Sequence, residues 1–124
     1  GVEVVADAVR DAKVNAEING IKNARFICAD AADAAQSLAK EKIKCDAVVL
    51  DPPRKGCEEK LLKTVAYDFS PETIVYISCD SATLARDAAV LQTFGYSLTQ
   101  YTPVDMFPQT HHIETVAKFI KSNK

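Results

Sequence analysis

The sequence predicts an α/β fold: a doubly wound, mainly parallel sheet that ends in an antiparallel pair of strands. Three observations point there. The runs at 45–50 and 73–78 are almost continuously apolar, as strands buried on both faces of a parallel sheet are. Around them, apolar residues recur three and four apart, the spacing of amphipathic helices. After Gly95 the helical spacing stops, and two strand-like stretches follow with no room for a helix between them. Such a pair is most simply antiparallel.

Taken in order, Val5, Ala8, Val9, Ala12 and Ala16 mark a helix over about 6–19, with Gly20 after Asn19 as its C′ residue. Arg25-Phe26-Ile27-Cys28-Ala29 is a short buried strand ending at Asp30, and Ala31, Ala34, Ala35 and Leu38 begin a second helix reaching about Glu41. The strand Cys45–Leu50 stops at Asp51-Pro52-Pro53, because two prolines end strand and helix alike. Leu61, Leu62, Val65 and Ala66 form a third helical face. The strand Thr73–Ser78 ends at Cys79, and a fourth helix spans about Ser81 to Thr93, capped by Asp80 or Ser81. Tyr96–Met106 and Thr115–Ile120 are the closing strands. The order α-β-α-β-α-β-α-β-β builds the sheet by right-handed crossovers.

Composition narrows the function. The chain has 124 residues, 48% hydrophobic and 26% charged, which is ordinary for one globular domain and excludes disorder and low-complexity polymers. Fifteen Lys and Arg against 17 Asp and Glu leave a net charge of −2, so the chain is not a module that holds nucleic acid by charge alone. No apolar run approaches the roughly 18 residues of a membrane span, and these residues carry no basic-then-apolar pattern from which a secretory leader would be expected. Cysteines 28, 45, 57 and 79 form no CxxC pair or metal-finger spacing and read as reduced, cytoplasmic thiols. The four glycines are scattered, so no glycine-rich cofactor loop is present, and residue 1 is not methionine. The expectation is a piece of a larger protein.

In an open parallel sheet, ligands bind beyond the carboxyl ends of the strands. Those ends are Asp30, Asp51 and Cys79. Asp30 is equally explained as a helix cap. Asp51-Pro52-Pro53-Arg54-Lys55-Gly56 is more pointed: two prolines fix the backbone, Gly56 releases it, and two cations sit beside a carboxylate. Cys28, Cys45 and Cys57 read as structural or incidental, whereas Cys79 closes a strand just before a helix start, where backbone N–H groups favour an anion. The stretch Asp105-Met106-Phe107-Pro108-Gln109-Thr110-His111-His112-Ile113-Glu114-Thr115 packs two acids, an aromatic and two histidines into a loop entering the last strand. Adjacent histidines in an extended loop should point apart, which argues against metal binding; zincin histidines lie at i and i+4. A Cys79–His112 hydrolase pair is a further reading, without an evident oxyanion-hole loop.

Three blocks carry a resemblance: Asp51-Pro-Pro-Arg-Lys-Gly56, Tyr76-Ile-Ser-Cys-Asp-Ser-Ala-Thr-Leu-Ala-Arg-Asp87, and Asp105-Met-Phe-Pro-Gln-Thr-His-His-Ile-Glu-Thr-Val116. A weaker one runs from Gly1-Val-Glu3 through Asn15-Ala-Glu-Ile-Asn-Gly20 to Asp30. Together they resemble the S-adenosylmethionine-dependent RNA uracil-C5 methyltransferases, which make 5-methyluridine in ribosomal and transfer RNA. The resemblance implies a Rossmann-like class I methyltransferase fold, truncated at its N-terminal side, with S-adenosylmethionine as cofactor and RNA, ribosomal before transfer, as partner. It implies Cys79 as nucleophile and Glu114 as the base that removes the C5 proton. It also implies Glu3 on the cofactor ribose, Asp30 at its adenine, and Asp51 beside its methionine end and the target base. One departure stands out: the family has Asn-Pro after the cysteine, and this chain has Asp80-Ser81. An ionised Asp80 beside the thiol would slow attack unless it points away as a helix cap.

The residue types suit that chemistry. Uracil C5 is a poor nucleophile until something adds at C6, and a thiolate both adds and leaves readily. A glutamate can take the C5 proton, Arg54 and Lys55 can steer a phosphate or stabilise charge developing at O4, and the uridine must be presented out of its stack. Phe107 is a candidate stacking surface, with core packing the more ordinary use.

By the same resemblance the chain begins at Glu3, the acid ending the second strand of the fold. The first strand, its glycine-rich loop and helix, and any N-terminal RNA-binding domain are then absent. The family order 3-2-1-4-5-7-6 would lose strands 2 and 1, and strand 3 is expected to close on strand 4 in a five-stranded 3-4-5-7-6 sheet. The rival is a gap filled by a second copy of the chain. Such a fragment is expected to bind cofactor weakly or not at all. The alternative to an enzyme is a folded, non-catalytic domain that self-associates.

Overall fold

The computed structural model describes residues 1–122. Its elements are β1 (Val2–Glu3), α1 (Ala6–Ile18), β2 (Ile27–Cys28), α2 (Ala31–Lys40), β3 (Ala47–Leu50), α3 (Glu59–Thr64), β4 (Thr73–Ser78), α4 (Ser81–Thr93), β5 (Tyr96–Val104) and β6 (Glu114–Lys121). A π-helical turn, Val65–Phe69, continues α3 and ends at left-handed Ser70. α1 stops where the sequence says it should: Gly20 is at φ +67, its N–H reaches Glu17 O, and Ile21 N–H reaches Ala16 O, a complete Schellman closure. Asp30 and Asp80 both cap helices, each carboxylate accepting two backbone N–H groups of the turn that follows.

The strands form two sheets. β3-β4-β6-β5 is one, with β3 and β4 parallel and β6 antiparallel to both its neighbours. This is the expected 4-5-7-6 order. β1 and β2 form a separate parallel pair, which corrects the expected closure of strand 3 on strand 4. Val2–Glu3 is a strand in its own right and takes the hydrogen bonds of β2: Ile27 N–H donates to Gly1 O and Ala29 N–H to Glu3 O. Phe26 and Val48 therefore lie beside different sheets, and the outer edge of β3 has no strand partner among the described residues.

The core lies on one face of the larger sheet. Ile74, Tyr76, Ala117 and Phe119 are fully buried there under Leu61, Leu62 and Val65 of the α3 segment, Leu91 of α4, and Ala32 and Ala35 of α2. The opposite face is open. Val49 is 65% exposed and Val116 37%, so β3 is not the doubly buried strand its apolar run predicts. α2, α3 and α4 pack against one face only, and nothing among the described residues covers the other.

Candidate active site

The loops at one rim of the four-stranded sheet carry most of the candidate residues. β3 and β4 are parallel, so Asp51 and Cys79 leave the sheet at the same end. β6 runs the other way, so its first residue, Glu114, lies at that end too. The β4–β6 ladder closes with Ser78 opposite Thr115, and Cys79 and Glu114 are the next residues out on these two neighbouring strands. The pleat that buries Ala117 and Phe119 on the helix side turns Glu114 to the open face. Cys79 and Glu114 are half-buried, while Asp51, Arg54 and Lys55 are exposed.

The loops around this rim are tied together. Arg54 Nη2 lies 3.0 Å from His112 Nε2, joining the loop after β3 to the loop before β6. Desolvation, then the neighbouring Arg54 guanidinium, holds the His112 imidazolium below its ordinary range, so the neutral ring can accept that bond. His111 and His112 do not point apart as expected: their ring centroids are 4.1 Å apart, because Thr110 turns the chain through bonds to Phe107 O and from His112 N–H. Phe107 and Met106 are 51% and 59% exposed, so Phe107 is not a core residue. Asp80 behaves as the cap. Its carboxylate accepts from Ala82 N–H at 3.0 Å and Thr83 N–H at 2.9 Å, and these bonds, that to Thr83 first, hold it below the usual carboxylate range.

Glu3 and Asp30 belong to the other sheet. Glu3 ends β1 with Oε1 accepting from Val5 N–H at 2.8 Å, and Asp30 follows β2 as the cap of α2. No hydrogen bond joins this pair to the Cys79 rim among the described residues. Hollows of about 560 and 280 Å³ lie away from these residues, beside α2 and α3 and beside α1.

One group escaped the sequence. Asp87, on α4, is buried and accepts from Cys57 N–H (2.8 Å), Tyr76 Oη (2.5 Å) and Arg86 Nε (2.8 Å). Its signal was a charge on an apolar stripe, since Leu84, Ala88 and Leu91 share its face of the helix. The cysteines differ sharply. Burial pushes the Cys57 thiol up to about 11, which keeps it protonated, Cys45 packs partly against the core, and Cys28 is exposed on β2.

Solved structures share this fold at low identity. Precorrin-6y C5,15-methyltransferase from Geobacter metallireducens aligns with a TM-score of 0.73 at 15% identity, over 98% of this chain and 65% of that one. M. jannaschii TYW2 in complex with AdoMet aligns at 0.62 and 19%, over 97% and 56%. These likenesses show a Rossmann-like methyltransferase fold. An uncharacterised RNA methyltransferase of Clostridium acetobutylicum is 46% identical over all 124 residues, and one of Staphylococcus epidermidis is 49% identical over the same span. The chain spans 27% of the length of each. The family described as tRNA (uracil-5-)-methyltransferase matches residues 1–122, and the chain belongs to that family.

Proposed function

We propose that this chain carries the reacting groups of an RNA methyltransferase that moves a methyl group from S-adenosylmethionine to C5 of a uridine. The observation that carries the reading is the placing of Cys79 and Glu114 at adjoining ends of two paired strands, in a chain of this family. Such neighbours can reach the two reacting positions of one pyrimidine ring, C6 and C5.

Cys79 adds through its sulfur to C6, which makes C5 nucleophilic. S-adenosylmethionine, when bound, supplies the methyl group. Glu114 then takes the C5 proton, the C5–C6 double bond re-forms, and Cys79 leaves as thiolate. Arg54 stands at the mouth of this rim and meets a phosphate or the oxygen where charge develops. Phe107, exposed beside it, offers a face for a base turned out of its stack. Glu3 and Asp30 fit the cofactor's nucleoside: Glu3 presents an exposed carboxylate to a ribose diol, and Asp30 sits at the adjoining strand end. The setting is intracellular, where RNA and reduced thiols coexist.

The test uses the full-length protein, RNA and S-adenosylmethionine bearing a labelled methyl group, with nucleosides resolved by mass spectrometry. The label is expected as 5-methyluridine in ribosomal or transfer RNA. Cys79→Ala is expected to lower the rate by at least about a thousandfold, and Glu114→Gln to stall after addition, with protein covalently held on natural RNA. Label on another atom, or Cys79→Ala at the wild-type rate, contradicts the reading.

A further inference from the structure

The loop from Asp51 to Cys57 carries Asp51, Arg54 and Lys55, but its backbone is held from α4. Asp87 Oδ2 accepts the Cys57 N–H at 2.8 Å, and Arg86 Nη2 donates to Lys55 O at 2.9 Å and Cys57 O at 3.4 Å. Arg86 and Asp87 are themselves paired, Nη2 to Oδ1 at 2.7 Å and Nε to Oδ1 at 2.8 Å. Gly56 sits under this pair at φ +76, and a methyl group on it would stand 2.6 Å from Asp87 Oδ2 and collide with Arg86. Glycine is required there by conformation and by space alike.

The third ligand of the carboxylate gives the arrangement its direction. Tyr76 Oη donates to Asp87 Oδ2 at 2.5 Å, and Tyr76 lies three residues before Cys79 on β4. Burial, then the bond to Asp87, drives the Tyr76 phenol well above its ordinary range, so it remains the donor. One buried carboxylate thus joins the Asp51–Cys57 loop, the strand that ends at Cys79, and the helix that starts just after it. A buried carboxylate is a costly way to hold a fold, because its desolvation must be offset by the groups that bond to it. It does fix direction, since every bond to it has a set geometry.

We infer that Asp87 and Arg86 are a positioning pair that fixes the Asp51–Arg54 loop against Cys79 and so governs the chemical step more than cofactor binding. This rests on the uracil-C5 reading for the reaction concerned, but the holding of the loop does not. Neither residue touches substrate: both act through the backbone of Lys55 and Cys57.

The experiment uses the full-length protein with Arg86→Gln, Asp87→Asn and Tyr76→Phe. Arg86 has a side chain 54% exposed, so its variant should fold even where Asp87→Asn does not. Amide hydrogen exchange reads the loop without reference to activity. In Arg86→Gln the Cys57 amide should exchange about tenfold faster, while amides of β4 and β6 keep their wild-type protection. Methyl transfer should show kcat lower by about ten- to a hundredfold, with a smaller fold-change in Kd for S-adenosylmethionine, whose methionine end Asp51 is expected to adjoin. Tyr76→Phe removes one of the carboxylate's ligands and should have the smaller effect on both. A loosened loop with unchanged kcat, or β4 amides loosened as much as the loop, overturns the inference. If the wild-type protein makes no 5-methyluridine, the uracil-C5 reading fails instead, and the exchange data still decide whether the pair holds the loop.

Discussion

The first 29 residues and the rest of the chain use the same alternation of strand and helix with opposite results. β1, α1 and β2 bury only Val9 and Ala16 and leave Val4, Val5, Ile18 and Ile21 exposed. The four-stranded sheet and its helices enclose one contiguous core, with Ile74, Tyr76, Leu91, Ala117 and Phe119 at zero exposure. The difference is length of ladder. β1 and β2 share a two-residue pairing, whereas β4 and β6 pair over six positions and β5 and β6 over eight. A strand pair that short presents too little apolar face to close a core with one helix. The candidate residues divide along the same line: the groups proposed to act on the base stand at the rim of the four-stranded sheet, and Glu3 and Asp30 on the two-stranded one.

The largest effect expected from this contrast is on stability. Phe119→Ala should cost about 3–5 kcal/mol, as large-to-small changes in a packed core do. Val9→Ala should cost less than about 1.5 kcal/mol, since its surroundings can collapse onto the gap. Denaturant titration of the two variants checks this, and equal losses would break the comparison. The smallest expected effect is a pH dependence at the rim. The folded His112 is held below the ordinary value of 6.5, so between the two values the unfolded chain binds more protons. Its contribution is full above 6.5 and is lost as pH falls through the lowered value. Arg54, His111 and Glu114 are the charges that bear on it. An imidazole titration by NMR should find His112 below 6.5, and Arg54→Gln should move it upward.

Much of this molecule was legible from its residues, for reasons that can be named. β3, β4 and α4 were readable because long apolar runs and 3.6-residue spacing are local, and α4 spans Ser81–Thr93 as its pattern says. Gly20 and Gly95 marked helix ends because both take positive φ. β1 was not readable, since two residues carry no periodicity. β3 was read as doubly buried because Val49 is as apolar as Val48, although cover exists on one side only. The rim residues followed from strand ends and from the family resemblance. Asp87 did not, because a helical aspartate reads as solvated until the loop that covers it is seen.

The account depends on Cys79 and Glu114 acting on the same pyrimidine. Incubating the full-length protein with S-adenosylmethionine and RNA carrying 5-fluorouridine tests this most directly, since C5 then holds fluorine where Glu114 would remove a proton. The account predicts a stable protein–RNA adduct whose crosslinked peptide contains Cys79, formed only with S-adenosylmethionine present. An adduct that survives Cys79→Ala, or one mapped to another cysteine, would contradict it.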